Sequence, residues 1–248
     1  MQTIYILWLR QIKRYSRSRS RMIGALGQPL LFLVALGFGF GPIFEKAGGG
    51  NYIQFLAPGI IAMSILFTAI FSGMEIIWDR QFGFLKETLV APVPRLHIMI
   101  GRTLGSASVA FLQGFVVFLI SMLVGFRPEQ WGLFPIALLV MFLIALIFTA
   151  LGTAIASVME DFHGFQLIIN FLVMPLFFLS GSLFPLQGLP TAIDIIAKLD
   201  PLTYGIDALR GTLVGAAHFG LTLDLGILVV LVALLMIVGS WLFSRIEV

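Results

Sequence analysis

An all-α integral membrane protein with six transmembrane helices is what this sequence predicts, and three observations predict it. Hydrophobic residues make up 59% of the 248 and charged residues only 11%, less than half the roughly 25% of a soluble domain. Six apolar runs each approach or exceed the about 20 residues that a span requires. With those runs alternating in direction, one side collects Arg10, Lys13, Arg14, Arg17, Arg19, Arg21, Arg80, Lys86, Arg95, Arg102 and Arg245. The other collects Lys46, Arg127, Lys198 and Arg210. Eleven against four is the asymmetry of a six-span chain with both ends in the cytoplasm, and five or seven spans spoil it.

The chain reads as a single transmembrane domain over 1–248. Residues 1–21 hold an interfacial helix, 22–183 the first five spans, 184–220 a broken outer segment, and 221–248 the last span and tail. Over 3–17, a period of 3.6 puts Ile4, Tyr5, Trp8, Leu9, Ile12 and Tyr15 on one arc and Arg10, Gln11, Lys13, Arg14 and Arg17 on the other. Ile6 and Leu7 break the pattern. An aromatic face opposite a basic one suits a helix lying among headgroups. The first 21 residues lack the continuous apolar run of a cleavable signal peptide. Spans are expected near 22–40, 55–77, 97–124, 133–158, 165–183 and 221–243, with a loop over 42–54. Between 184 and 220, Pro185, Gly188, Pro190, Pro201, Gly205, Gly211 and Gly215 cut the sequence into apolar pieces too short to cross.

Several chemistries are excluded or poorly supplied. Without cysteine there is no disulfide, thiolate metal site or thiol nucleophile. No G-x-x-x-x-G-K-[ST] and no H-E-x-x-H is present, no metal-ligand set is evident, and the net charge of +3 says more about loop topology than about nucleic acid. Gly37, Gly39 and Gly41 lie within an apolar run, where close helix packing explains them. Ser180 and Ser182 read as small packing residues rather than nucleophiles. His97, His163 and His218 have no evident partners. Glu75 is expected to be the only acidic residue near a span interior, snorkelling or paired with Arg80. No residue is assigned a catalytic role.

The stretch from Asp79 to Arg95, D-R-Q-F-G-F-L-K-E-T-L-V-A-P-V-P-R, is the informative charged loop. It is amphipathic for about two turns until Pro92 ends it. It bears Phe82, Phe84, Leu85 and Leu89, an apolar patch that favours a docked partner. The part from Gly83 to Arg95 resembles the cytoplasmic coupling segment of the type-2 ABC exporter permeases. The later stretches L-F-F-L-S-G-S-L-F-P-L-Q-G-L-P and P-L-T-Y-G-I-D-A-L-R resemble the family's C-terminal signature, with Gly181, Pro185, Pro190, Pro201, Tyr204 and Arg210 in its order and spacing. Within the family the chain is most similar to the drug and antibiotic exporters of the daunorubicin-resistance type.

That resemblance implies a permease subunit in the cell membrane: half of an export pathway, completed by a second copy of the chain and surrounded by lipid. Two separate ABC ATPase subunits would drive it, carrying the ATP and Mg, with no cofactor in this chain. Asp79, Arg80, Phe84, Leu85, Glu87, Leu89 and Arg95 would couple to the ATPase. Glu87 is the foremost of these, against the plainer reading of an intrahelical ion pair. Trp8, Arg10 and Arg14 would belong to a connecting helix. Phe55, Met63, Phe67, Phe171, Met174, Phe177 and Phe178 would line the pathway. Gly181, Pro185, Pro201, Tyr204 and Arg210 would form an outer gate of re-entrant helices. The cargo would be hydrophobic and drug-like or lipid-like. Rival readings are export of a lipid-linked glycan or polysaccharide by the same architecture, a membrane-integral enzyme, and an ATP-independent channel.

Overall fold

In hydrocarbon the backbone has no water to bond, so apolar runs must satisfy their own N–H and C=O groups as helices. The computed structural model describes residues 2–84, 93–188 and 190–245, and these contain helices and turns but no strand. In chain order the helices are α1 Gln2–Arg17, α2 Arg19–Lys46, α3 Tyr52–Phe71, α4 Met74–Gln81, α5 Arg95–Val124, α6 Phe134–Val158, α7 Phe162–Leu179, α8 Thr191–Leu199, α9 Pro201–Leu213 and α10 Leu221–Ser244. Six units are long and apolar enough to cross a membrane: α2, α3 with α4, α5, α6 with the short 3-10 turn before it, α7, and α10. The expected count of six spans therefore holds.

Local chemistry sets the boundaries. Asn51 starts α3 by accepting from the Ile53 N–H, Asp161 starts α7 by accepting from Gly164, and Asp200 starts α9 by accepting from Leu202. Such caps satisfy donors that have no intrahelical acceptor. The first span runs past its expected end near Phe40 and includes Pro42, which had been assigned to the loop. A proline interrupts a membrane helix less decisively than its frequency in turns suggests. The helix stops at Ala47, before Gly48 takes a φ of +81°. The fifth span ends at Leu179 rather than near Leu183, because Gly181 turns the chain with a φ of +72°.

Span α3 forms the centre, its residues from Leu56 to Leu66 all buried. It packs on α2, α5, α6, α7 and α9. Small residues permit the closest crossings. A Cβ on Gly59 would lie 2.6 Å from the Ser182 carbonyl oxygen, and one on Gly73 only 2.8 Å from the Gly152 carbonyl carbon. Of Gly37, Gly39 and Gly41 in α2, only Gly37 abuts a neighbour within the protomer, Ile53; Gly39 and Gly41 face open space there. The flanking spans keep apolar side chains exposed, among them Leu31 and Phe38 on α2, Phe171 on α7, and Val230 and Ile237 on α10.

Helix α1 lies along α5 on a face that the hydrophobic arc identified in part: Ile4, Trp8 and Tyr15 of the arc lie there, joined by Leu7 and Gln11 from outside it. Gln11 and Tyr15 are buried, and Tyr5 and Ile6 are exposed. The contact passes through Ile4, Leu7, Trp8 and Gln11 above Gly101 and Gly105. Leu7, which broke the arc, faces protein. Gln11, assigned to the polar side, sits over Gly105. The Tyr15 hydroxyl donates to Gln113, and Trp8 Nε1 donates to Ser108 Oγ at 3.0 Å. A Cβ on Gly105 would come within 2.8 Å of the Gln11 Cβ, and overpacking of this kind costs about 1–3 kcal/mol. Gly105→Val is therefore expected to lift α1 and speed tryptic cleavage after Arg10 and Arg14 several-fold. Cleavage at the wild-type rate would show that this crossing does not hold α1.

Candidate functional site

The basic arc of α1 and the acidic residues of α4 meet. Glu75 and Asp79 are four residues apart, so α4 presents both on one face, and each is only 5% exposed. Arg21 Nη1 of α2 donates to Glu75 Oε1 at 2.7 Å, and Arg14 Nη1 of α1 approaches Oε2 at 3.4 Å. Arg102 Nη2 of α5, itself buried, donates to Asp79 Oδ2 at 2.6 Å, with Arg10 Nη2 at 4.0 Å. Four arginines from α1, α2 and α5 thus surround two carboxylates of α4. Buried charges persist when each has an opposite charge and hydrogen bonds. Trp78 stacks on Phe162 with centroids 5.7 Å apart, and Arg80 comes within 4.0 Å of Glu160. Helix α4 is consequently tied to four other elements, and a displacement of α4 must carry α1 and the start of α7 with it or break ion pairs.

This arrangement corrects two expectations. Glu75 pairs with Arg21 and Arg14 rather than with Arg80, because α1 lays its cations over α4. Asp79, expected on an amphipathic surface segment, is buried against Arg102. Phe84 is exposed beside Phe82, and Arg95 opens α5, donating through Nη1 to the Ser244 carbonyl at 2.5 Å. Leu85, Glu87 and Leu89 lie outside the described residues. Arg10 and Arg14 join the ionic cluster, whereas Trp8 is directed at α5.

The opposite end of the bundle is pinned by Arg210. Its Nη2 donates to the carbonyls of Phe55 at 3.2 Å and Gly181 at 3.1 Å, and its guanidinium sits 4.0 Å above the Phe55 ring. Burial brings its pKa down to about 10, opposed by the charge of Asp207, so it remains a cation at neutral pH. Ser180 and Ser182 both donate to the Phe177 carbonyl, at 2.8 and 2.6 Å, which occupies their hydroxyls in closing α7. Pro201 is the first residue of α9, and the Tyr204 hydroxyl donates to the Lys198 carbonyl at 2.7 Å, tying α9 to α8. Gly181, Phe55 and Arg210 are therefore one cluster, while Tyr204 and Pro201 lie towards the other end of α9, beside α8.

Two of the cavities along α2 differ in the polarity of their walls. One of about 400 Å³ is lined by Leu36, Phe40, Ile43, Phe44, Tyr52, Leu183 and Pro185, with no charged side chain among its walls. The other, about 220 Å³, lies nearer α1 and is lined by Met63, Phe67 and Phe71 with Tyr15, Arg21 and Gln28. Of the seven residues implied for the pathway, Met63 and Phe67 line this second cavity. Phe171, Met174 and Phe178 are exposed on α7, Phe177 is buried against Phe32, and Phe55 seats Arg210. Spans α3 and α7, which carry these seven residues, pack against each other, and Phe32 of α2 meets Phe177 of α7.

Sequence reasoning missed Arg102, Asp207 and Asp224. Asp224 is fully buried in the first turn of α10, so Glu75 is not the only acidic residue near a span interior. A carboxylate four residues into an apolar run was the available signal.

Residues 2–214 match the family model described as ABC-2 type transporter. Over 217 residues the chain is 30% identical to the ycf38 transport permease of Cyanophora paradoxa, covering 85% of this chain and 73% of that one. It is 27% identical over 242 residues to nodulation protein J of Rhizobium leguminosarum bv. viciae, covering 96% and 93%. Against nodulation protein J of Rhizobium meliloti the identity is 26% over 220 residues, covering 87% and 83%. The chain belongs to the ABC-2 type transporter family, as a multi-pass permease.

Proposed function

We propose that this chain is half of the membrane pathway of an ATP-driven exporter whose cargo is hydrophobic, drug-like or lipid-like, as in the drug-resistance branch of the family. The observation that carries the cargo class is the apolar cavity of about 400 Å³ between α2, α3 and the turn after α7. Aromatic and aliphatic walls without charge favour an apolar guest and accommodate many shapes. Permeases of this family work with ATPase subunits, and here two of them, binding ATP and Mg, would dock on the 79–95 segment and α1. The buried clusters Glu75–Arg21–Arg14 and Asp79–Arg102 support this direction of drive, because they join that docking region to α2 and α5.

A second copy would face the exposed apolar sides of α2 and α7, placing the route between protomers. The concentration of arginine at the α1 end supports cytoplasmic termini in a cell membrane. The short helices α8 and α9 would then enter the outer leaflet without crossing, shielded by α3, α6 and α10. A lipid-linked glycan is the second reading. The cavity nearer α1 favours it, because Arg21, Gln28 and Tyr15 offer a polar rim above Phe67 and Phe71.

Proteoliposomes holding the chain and its ATPase discriminate the two. Cargo-stimulated ATP hydrolysis should rise with a hydrophobic cationic drug. Phe40→Ala should raise the half-saturating drug concentration about tenfold, the equivalent of roughly 1.4 kcal/mol of lost contact. Stimulation by a lipid-linked oligosaccharide alone, unaffected by Phe40→Ala, would transfer the assignment to the second reading.

A further inference from the structure

The corner where α1 meets α2 carries charge of one sign. Arg10, Lys13, Arg14, Arg17, Arg19 and Arg21 lie between positions 10 and 21, and the first acidic residue of the chain is Glu45. The answering carboxylates, Glu75 and Asp79 of α4, are already surrounded by four guanidinium groups. Lys13, Arg17 and Arg19 are exposed and in no ion pair among the described residues. Positive charge is therefore left over at this corner.

The cavity of about 220 Å³ lies beside it, with Arg21 in its wall and no acidic side chain among the described residues that line it. Arg21 spends Nη1 on Glu75, and its side chain is still 41% exposed. A guanidinium presents five donors in a planar fork, so one carboxylate contact leaves donors for a second anion. Gln28 and Thr68 add neutral polar groups to the wall, while Tyr15 contributes its ring, its hydroxyl being committed to Gln113. The rest of the wall is apolar, chiefly Met63 and the Phe67 and Phe71 rings, stacked 6.1 Å apart. On α2 the same face continues past Gln28 to Leu31, which is exposed. A cation, then a neutral polar group, then an apolar track thus follow one another from Arg21 through Gln28 to Leu31. That is the order of phosphate, ester groups and tails in a phospholipid. The α2 wall is bare at Gly24, where a Cβ would meet nothing within 4 Å.

We propose that this cavity binds an anionic phospholipid of the leaflet at the α1 end: the phosphate takes the donors of Arg21 that Glu75 leaves, the ester groups meet Gln28 and Thr68, and one tail lies on Phe67 and Phe71. Guanidinium and phosphate match in geometry, and the surplus of arginine and lysine adds attraction to an anionic leaflet. A zwitterionic lipid brings the same phosphate with a cation of its own, which the arginines of this corner repel. Free phosphate brings the charge but buries no tail. Because Arg21 also holds Glu75, the bound lipid joins the tie between α2 and α4. The site does not depend on the identity of the cargo or on ATP.

Photolabelling of the full chain in phosphatidylcholine vesicles tests this. A trace of phosphatidylglycerol with a diazirine in one tail should label the peptide that holds Phe67 and Phe71. Phosphatidylcholine with the same diazirine tail should label it about tenfold less, the worth of one charge-assisted contact. Gly24→Leu fills part of the cavity and leaves the Arg21–Glu75 pair in place, and it should bring phosphatidylglycerol down to the phosphatidylcholine level. Arg21→Gln should do the same, and Gly24→Leu keeps the test decisive should that variant fail to fold. Excess inorganic phosphate should not compete. Equal labelling by the two lipids, undiminished labelling of Gly24→Leu, or competition by inorganic phosphate would overturn the proposal. Displacement of the label by an equimolar lipid-linked oligosaccharide would assign the cavity to cargo and overturn it as well.

Discussion

Arg102→Met is expected to cost this protein most of its folded yield. The arginine sits inside the bundle, and its 2.6 Å bond to Asp79 is the nearest compensation that the buried carboxylate has. The remaining cation, Arg10, is 4.0 Å away and half exposed. Removing one member of a buried ion pair typically costs about 3–5 kcal/mol, because the other charge is left in a medium that cannot solvate it. Replacing both partners with apolar groups removes that penalty. The double variant Asp79→Leu/Arg102→Met should therefore recover much of the folded yield in detergent. Transport should not recover with it, since α4 would have lost its tie to α5. A single variant as stable as the wild type would show that Asp79 finds water or another cation.

Arg210→Ala should have the second largest effect, at the other end of the molecule. One guanidinium serves the carbonyls of Phe55 and Gly181 and the face of the Phe55 ring. A hydrogen bond to a charged donor is worth about 1.5–3 kcal/mol, and a desolvated cation–π contact adds about 2 kcal/mol or more. The loss should lower the thermal midpoint and loosen the turn after α7, detectable as faster hydrogen exchange around Gly181. Arg210→Lys keeps the charge but lacks the planar fork, so it should fall between the two. A lysine variant equal to the wild type would reduce the role of Arg210 to charge alone.

The six apolar runs were readable because their length and lack of charge leave few alternatives in a bilayer. The segments carrying Gly181, Pro201, Tyr204 and Arg210 were readable as a resemblance; that Arg210 reaches Gly181 and Phe55, while Tyr204 turns to α8, was not. The face of α1 was readable only in part, through Ile4, Trp8 and Tyr15. A hydrophobic arc ranks side chains by polarity, but lipid and protein are equally apolar, so it could not tell Leu7 from Tyr5. The spacing of Gly101 and Gly105, one turn apart on α5, was the overlooked signal. The pairing of Asp79 with Arg102 joins positions 23 residues apart on different helices, and no local pattern specifies it. Pro42 was misjudged because the propensity to break helices is a property of chains in water, where freed backbone groups are solvated.

Drive by a separate ATPase is tested most directly by joining this chain to a P-loop ATPase subunit of the ABC type and following ATP-dependent cargo movement in sealed vesicles. The permease should co-purify with the ATPase, cargo should move only when ATP and Mg are supplied on the α1 side, and Glu87→Arg should abolish movement while the folded yield is kept. A chain that binds no ATPase and moves cargo at the same rate without ATP would contradict the account.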